Sequence, residues 1–180
     1  MKQTSTRSII LMALFATLTV IGTTIRIPMP AAIGAPFIHL GNAVLLLAVL
    51  LLGYKKGALA GGLGFAIFDC LNGYAAEAPY FILESFIVGG VAALIFKALH
   101  KKEDHLSTIL LVAFGAGLAK IGMTFSKNLV LALLMGTKMQ AAVVLATTSL
   151  PATIVNSLST LIIVTILYLP LKKIMNQTFH

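Results

Sequence analysis

Charge is what this sequence most lacks. Only 10% of its 180 residues are charged and only five are acidic, whereas 59% are hydrophobic, and the mean hydropathy is +1.02. A water-soluble domain cannot bury that much apolar surface, so lipid must surround the chain. Because hydrocarbon offers backbone N–H and C=O groups no partner, the long apolar runs must be helices. The sequence therefore predicts an all-α integral membrane protein, with one membrane domain over residues 1–180.

Cysteine and catalytic motifs are also scarce. Cys70 is the one cysteine, which excludes an internal disulfide and a multi-cysteine metal site. The sequence contains no His-Glu-x-x-His motif, paired catalytic carboxylates, nucleophile elbow or Walker A loop. The net charge of +8 comes from basic residues at the ends of apolar runs, which is not the pattern of a nucleic-acid binder. We therefore expect no enzyme, no metal, no cofactor and no nucleic-acid partner.

The apolar runs predict a bundle of six transmembrane helices. Two of these runs are shorter than the roughly 20 residues of a usual span, so an arrangement with five or fewer spans is the main alternative. The predicted spans cover residues 8–25, 40–53, 57–71, 79–99, 106–135 and 141–169.

Lysine and arginine set the orientation of these spans. Only Arg26 and Lys138 fall in loops on one side of the predicted membrane, whereas the other side carries most of the lysines and arginines. Because cytoplasmic loops usually carry the excess of Lys and Arg, both termini are predicted to be cytoplasmic. The basic residues on the opposite, inner side are Lys2, Arg7, Lys55, Lys56, Lys97, Lys101, Lys102, Lys172 and Lys173.

The most informative polar feature lies in the fifth predicted span. Lys120 falls near the bilayer midplane, where a charge is costly, and Thr124, Lys127 and Asn128 follow on the same helical face. That face must look into the bundle or into a wet cavity. It indicates a ligand site, although a structural ion pair between one lysine and Glu84 explains a buried lysine equally well.

Further polar residues cluster towards the outer side. Asn72, Tyr74 and Tyr80 precede or begin the fourth span, and Glu84 follows Tyr80 by one helical turn. A tyrosine there either stacks on a flat ring or anchors the chain at the membrane interface. Together these residues predict a polar pocket in the outer leaflet.

Three more residues join the predicted site. His39 and Asn42 lie at the outer start of the second span, and Asn156 is the strongest member of a polar stripe in the sixth. A lone histidine is more often an interface residue than a ligand, and no second histidine stands at metal-ligand spacing. The proline-rich loop that ends at His39 is either a lid over the pocket or a plain connector.

Small residues indicate where helices approach one another. In the third span they recur at helical spacing and predict packing inside the bundle. In the first span Ala13, Ala16 and Thr17 form a small face that suits either a neighbouring helix or a partner protein.

Three segments give the chain a family resemblance. HLGNAVLLL begins at His39, GYKKGALAGGLGFAIFD runs from Gly53 to Asp69, and NGYAAEAPY runs from Asn72 to Tyr80. They resemble the substrate-binding S components of energy-coupling factor (ECF) vitamin transporters. The resemblance is strong over residues 38–90 and general over the last two spans. Within the family the chain is most similar to the hydroxymethylpyrimidine or vitamin B6 (pyridoxine) branch.

The resemblance implies a vitamin receptor of the bacterial cell membrane. It would dock on a transmembrane scaffold subunit and two ABC-type ATPases, which hydrolyse the ATP, and deliver a small-molecule vitamin inward. The family has an Ala-x-x-x-Ala docking pattern on the first span, where this chain has Ala13 and Thr17. The implied ligand site lies under the first loop, between the fourth, fifth and sixth spans.

Two alternatives remain open at this point. The paired intramembrane lysines would also suit an anion such as pantothenate, and riboflavin is carried by the broader family. A structural membrane protein, whose buried polar residues only join helices, is the alternative outside transport.

Overall fold

A computed structural model describes residues 6–99 and 105–179. Within those residues the chain forms seven α-helices and one antiparallel pair of short strands. In chain order the elements are α1 (Thr6–Thr24), β1 (Arg26–Pro28), β2 (Phe37–His39), α2 (Gly41–Leu52), α3 (Tyr54–Leu71), a 3₁₀ turn (Ala75–Glu77), α4 (Ala78–Ala98), α5 (Leu106–Leu134), α6 (Met139–Thr147) and α7 (Leu150–Phe179).

The predicted helices are present, with ends that agree to within a few residues for the first five. In the described ranges, α1, α4, α5 and α7 are long and apolar enough to cross a membrane. Helix α2 has 12 residues, about 18 Å of helix at ~1.5 Å per residue, which is shorter than the hydrocarbon core. The chain is thus a helical membrane protein, and the number of spans stays a prediction.

Helix α2 lies in the centre of the packed bundle. Ala48 is fully buried, and Ala43, Leu46 and Val49 are exposed by 3% or less. An apolar helix of this length, enclosed by other helices, needs no polar face. Its position explains why its sequence is apolar all round.

Glycines let α2 and α3 approach closely. A Cβ placed on Gly57 would lie 2.3 Å from the backbone of Val49, and one on Gly61 would lie 2.2 Å from Leu45. Gly64 meets α1 in the same way, 2.5 Å from Thr19. The prediction that these small residues pack inside the bundle is confirmed, because each faces a neighbouring helix of this chain.

The loop between α1 and α2 forms a β-hairpin, which an all-α prediction does not include. Arg26 pairs with His39 and Pro28 with Phe37, and Met29 N donates to Pro36 O at 2.9 Å. Prolines prevent this segment from continuing as helix, and the paired strands satisfy its remaining backbone groups. The loop therefore has a defined path rather than being a loose connector.

The sixth predicted span is divided into α6 and α7. Pro151 lies in the first turn of α7, where its missing N–H is tolerated, and its ring disfavours helical backbone in the residues just before it. The Thr148 hydroxyl donates to Leu145 O at 2.7 Å and so helps to close the end of α6. Pro151 was the sequence signal for this break.

The terminal helices run in opposite directions. Helix α1 leads into the hairpin, and α7 begins beside it, so the start of α1 and the end of α7 lie at the opposite end of the bundle. This geometry agrees with termini on one side. Lys2, Lys101 and Lys102, which contribute to the predicted cytoplasmic orientation, lie outside the described residues, and that orientation stays a prediction.

Candidate functional site

A cavity of about 100 Å³ lies at the hairpin end of the bundle. The hairpin loop covers it, and α3, α4, α5 and α7 provide its walls. Predicted ligand residues at its surface are His39, Tyr74, Tyr80, Glu84, Lys120, Thr124, Lys127, Asn128 and Asn156. The structure thus brings together in one cavity residues that are up to 117 positions apart in the chain.

Two ion pairs cross the cavity wall from α5. Lys120 Nζ donates to Glu84 Oε2, and Lys127 Nζ donates to Glu77 Oε2. The Lys120–Glu84 pair is the more buried, with side chains 13% and 4% exposed, against 22% and 34% for the second pair. The sequence left open which lysine pairs with Glu84, and the structure identifies Lys120.

Uncharged polar groups occupy the wall between α5 and α7. Asn128 Nδ2 donates to Ser149 Oγ, and the Thr153 and Thr124 hydroxyls are 3.4 Å apart. Asn128, Ser149 and Thr153 are all buried. Such groups can hydrogen-bond a polar ligand without adding net charge to the cavity.

Asn156 joins the hairpin to α7. Its Oδ1 accepts from His39 N at 2.9 Å, and its Nδ2 donates to Phe37 O, also at 2.9 Å. A second tether runs from Ala32 N to Thr148 Oγ1 at 3.0 Å. The cover of the cavity is therefore fixed to α7 and to the end of α6 by bonds that can open without disrupting a helix.

His39 is neutral in this environment. Burial, followed by the positive charges of Lys120 and Arg26, lowers the pKa of His39 from 6.5 to about 3. Its Nδ1 accepts a hydrogen bond from Gly41 N at 3.2 Å. The imidazole can thus offer a ligand a neutral ring at the cavity surface.

Aromatic rings line two sides of the cavity. The Tyr80 hydroxyl donates to Glu84 Oε1 at 2.8 Å, and Lys127 Nζ lies 4.9 Å from the Tyr80 ring centre. The Tyr74 ring stacks on Phe68 at 6.5 Å between centres. Both tyrosines therefore belong to the cavity wall rather than only to the membrane interface.

Two predicted ligand residues lie elsewhere. Asn42 lines a neighbouring cavity of about 20 Å³, which also contacts Glu84 and Lys120. The Asn72 side chain is exposed and donates to Phe68 O at 2.8 Å, where it helps to end α3. Neither contributes to the main cavity.

Sequence reasoning missed several lining residues, and the signals differ. Asp69 and Glu77 were visible as acidic residues of the outer segment, and Ser149 and Thr153 belong to the same stripe as Asn156. Phe37 and Phe81 carried no signal, because an apolar aromatic in a membrane protein is ordinary. The loop residues that complete the cover are Ile33, Gly34, Ala35 and Pro36.

The small face of α1 borders an apolar groove shared with α3. Ala13 and Thr17 are exposed, whereas Ala16 is only 9% exposed and forms part of the groove floor with Ala13. The Thr17 hydroxyl donates to Ala13 O at 3.0 Å. Its polarity is therefore satisfied within α1, which makes the exposed pair close to an Ala-x-x-x-Ala surface.

Comparison with known proteins gives one family. The chain matches the family described as "ECF-type riboflavin transporter, S component" over residues 3–173. No curated protein and no solved structure matches it significantly. The family comprises membrane transporter subunits rather than enzymes, and its members bind vitamins and associate with ECF scaffold and ATPase subunits. With nearly the whole length matched and a helical membrane fold around a polar cavity, this chain belongs to the S components of ECF-type transporters.

Proposed function

We propose that this S component captures hydroxymethylpyrimidine or pyridoxine, a small heteroaromatic vitamin or precursor, from the outer side. The single observation that carries this proposal is the size and lining of the cavity. Its volume of about 100 Å³ is comparable with the roughly 150 Å³ of an engineered protein cavity that holds benzene. A single ring is therefore the largest aromatic system that the covered cavity approaches, and the cover would have to yield slightly for its substituents.

Polar groups would hold such a ring on several edges. Glu84, Lys127 and Asn128 would supply charge and directional hydrogen bonds, while Tyr74 and Tyr80 would flank the ring. A compact heterocycle has little apolar area, so its affinity must come mainly from these bonds. The hairpin with His39 would close over it, and opening the Asn156 tethers would release it.

Riboflavin is the second candidate, favoured by the name of the matched family. Its three-ring system and sugar-alcohol chain need more volume than the covered cavity offers, so the hairpin would have to move away. Pantothenate is less favoured, because Glu84 and Glu77 already neutralise the lysines that would attract an anion.

Mass spectrometry tests the identity of the ligand directly. The purified protein is denatured and the released small molecule identified, with a preparation from cells lacking the protein as the control. Release of hydroxymethylpyrimidine or pyridoxine supports the proposal, whereas riboflavin or pantothenate replaces it. If no ligand is released and no scaffold or ATPase subunit co-purifies in mild detergent, a structural role is supported instead.

The site residues need a separate test. Isothermal calorimetry compares the unmodified chain with the double variant Glu84→Gln/Asn128→Ala. The proposal expects binding of the identified vitamin to be lost. Unchanged affinity would show that the cavity described here is not the vitamin site.

The remaining parts of the proposal concern orientation and assembly. We place the protein in the bacterial cell membrane, with six spans, cytoplasmic termini and the cavity facing outward. Ala13 and Thr17 would contact the scaffold, and the two ATPase subunits would use the ATP, so the chain itself needs no cofactor. In the Cys70→Ser background, which removes the exposed native thiol, a cysteine is added at either terminus. We expect an impermeant reagent to label it only in permeabilised cells.

A further inference from the structure

Of the three acidic residues that line the cavity, Asp69 is the one that belongs to neither ion pair. It lines the cavity near the end of α3, it is 3% exposed, and its Oδ2 is buried. Among the described residues, no hydrogen-bond donor meets that oxygen. Nor does either lysine of the cavity reach it, since Lys120 and Lys127 pair with the two glutamates.

The acidic groups of the cavity therefore outnumber its cations. Asp69, Glu77 and Glu84 provide three carboxyl groups, and Lys120 and Lys127 provide two ammonium groups. His39 adds no positive charge, because burial lowers its pKa to about 3. One carboxyl group is left without a cation inside the cavity.

Arg26 is the remaining cation nearby, but it serves another purpose. Its guanidinium lies over the rings of Phe37, Phe68 and Tyr74, at 5.1, 4.9 and 5.7 Å from their centres. It is not part of the cavity surface, and no ion pair joins it to Asp69 within the described ranges. It packs beneath the aromatic wall rather than neutralising the carboxylate.

An unpartnered carboxylate at this place is costly. A buried polar atom without a hydrogen bond loses its hydration and gains nothing in return. The end of a helix carries partial negative charge, which opposes a carboxylate two residues from the last residue of α3. Folding alone gives no reason for an aspartate here. A bound ligand that donates a hydrogen bond to Asp69 would give one.

We propose that Asp69 accepts a hydrogen bond from a donor group of the ligand, either N–H or O–H, so that the cavity selects small heterocycles that carry such a donor. This inference rests on the proposed vitamin-binding function and adds a selection rule to it. Rings that carry no hydrogen-bond donor leave Asp69 unpaired.

Asp69→Asn is the sharpest variant, because it keeps the shape of the side chain, removes the ionisable group and replaces one acceptor oxygen by an NH₂ donor. Calorimetry in detergent measures its affinity for three probes: 4-amino-5-hydroxymethyl-2-methylpyrimidine, pyridoxine and riboflavin. We expect the probe that binds the unmodified protein most tightly to bind Asp69→Asn roughly 10- to 100-fold more weakly. The matched control is Cys70→Ser, since Cys70 is the next residue, exposed and outside the cavity; its affinity should be unchanged.

A second measurement avoids any dependence on how well Asp69→Asn folds. The unmodified protein is titrated with the best probe and with analogues in each of which one donor group, N–H or O–H, is replaced by C–H. Preference for the probe over at least one analogue by at least about tenfold is expected.

The outcomes separate the two proposals. Equal affinity of Asp69→Asn and the unmodified protein, or equal affinity for the probe and every analogue, overturns the role of Asp69 and leaves vitamin binding intact. Failure of all three probes to bind the unmodified protein overturns the proposed heteroaromatic ligands, and the selection rule with them.

Discussion

The two sides of this bundle are built on different principles. Helices α1, α2 and α3 approach through glycine and alanine, so close that a Cβ on Gly57 or Gly64 would overlap a neighbouring helix. Helices α4, α5 and α7 instead surround a cavity with ion pairs and amides. The first side must be held together by close packing, because lipid provides no hydrophobic driving force for helices to associate. The second keeps polar groups that packing would not require.

The difference separates rigidity from selectivity. A close contact at a glycine allows only a narrow range of helix positions. Such contacts therefore hold α1, α2 and α3 together as a rigid unit. The polar wall has partners that can be exchanged for those of a ligand, and the hairpin over it is held by a few hydrogen bonds. Substitutions on the two sides should therefore affect stability and binding differently, and we order four of them by expected effect.

Breaking the inner ion pair should have the largest effect. In Lys120→Met, the Glu84 carboxylate stays buried and keeps only the Tyr80 hydroxyl as its hydrogen-bond donor. We expect a loss of about 3–5 kcal/mol in the free energy of unfolding, measured by denaturation in detergent.

The double variant Lys120→Met/Glu84→Met is the matched control for that loss. It removes both charges and should recover most of the stability without recovering ligand binding. If Lys120→Met alone is as stable as the unmodified protein, the pair does not hold α4 and α5 together.

The close contact of α2 and α3 comes next. Gly57→Ala places a methyl group against the backbone of Val49, which cannot move aside as a flexible side chain would. We expect a loss of about 1–3 kcal/mol. Gly122→Ala is the control in α5, since nothing lies within 4 Å of its added Cβ, and it should be neutral or slightly stabilising. Equal stability of the two variants would contradict the packing described for the first side.

Loosening the hairpin should have a smaller effect on stability than on binding. Asn156→Ala removes the bonds to His39 N and Phe37 O, at about 0.5–1.5 kcal/mol each. Because these residues line the cavity, water that enters it can replace part of the lost hydrogen bonding. Faster ligand dissociation in a stopped-flow experiment is the expected signature, and an unchanged rate would mean that the hairpin does not limit exit.

A conservative substitution on the exposed face of α1 should have the smallest effect of the four. The Thr17 hydroxyl is bonded within its own helix, so Thr17→Ala should alter stability by less than about 0.5 kcal/mol and leave co-purification with the scaffold intact. Ala13→Leu is the contrasting variant, because a large side chain would obstruct a small-residue contact. Loss of the scaffold in Thr17→Ala would assign that hydroxyl a direct role.

Much of the site could be predicted from spacing within single helices. Lys120, Thr124, Lys127 and Asn128 do share one face, and that face does meet the cavity. Asn42 and Asn72 were predicted to line the same cavity, and neither does. Asn42 points into a separate small cavity and Asn72 bonds to its own helix, because position at the outer end of a helix does not decide which neighbour a side chain meets.

The sequence by itself determined that this is a helical membrane protein and where its polar residues concentrate. Hydropathy and helical periodicity are local properties, and lipid allows the backbone few alternatives. Only the tertiary structure decided that Lys120 pairs with Glu84 and Lys127 with Glu77, that Asn156 fastens the hairpin, and that Asp69 is left without a partner. Those contacts join residues far apart in the chain, so they depend on how helices pack rather than on any stretch of sequence.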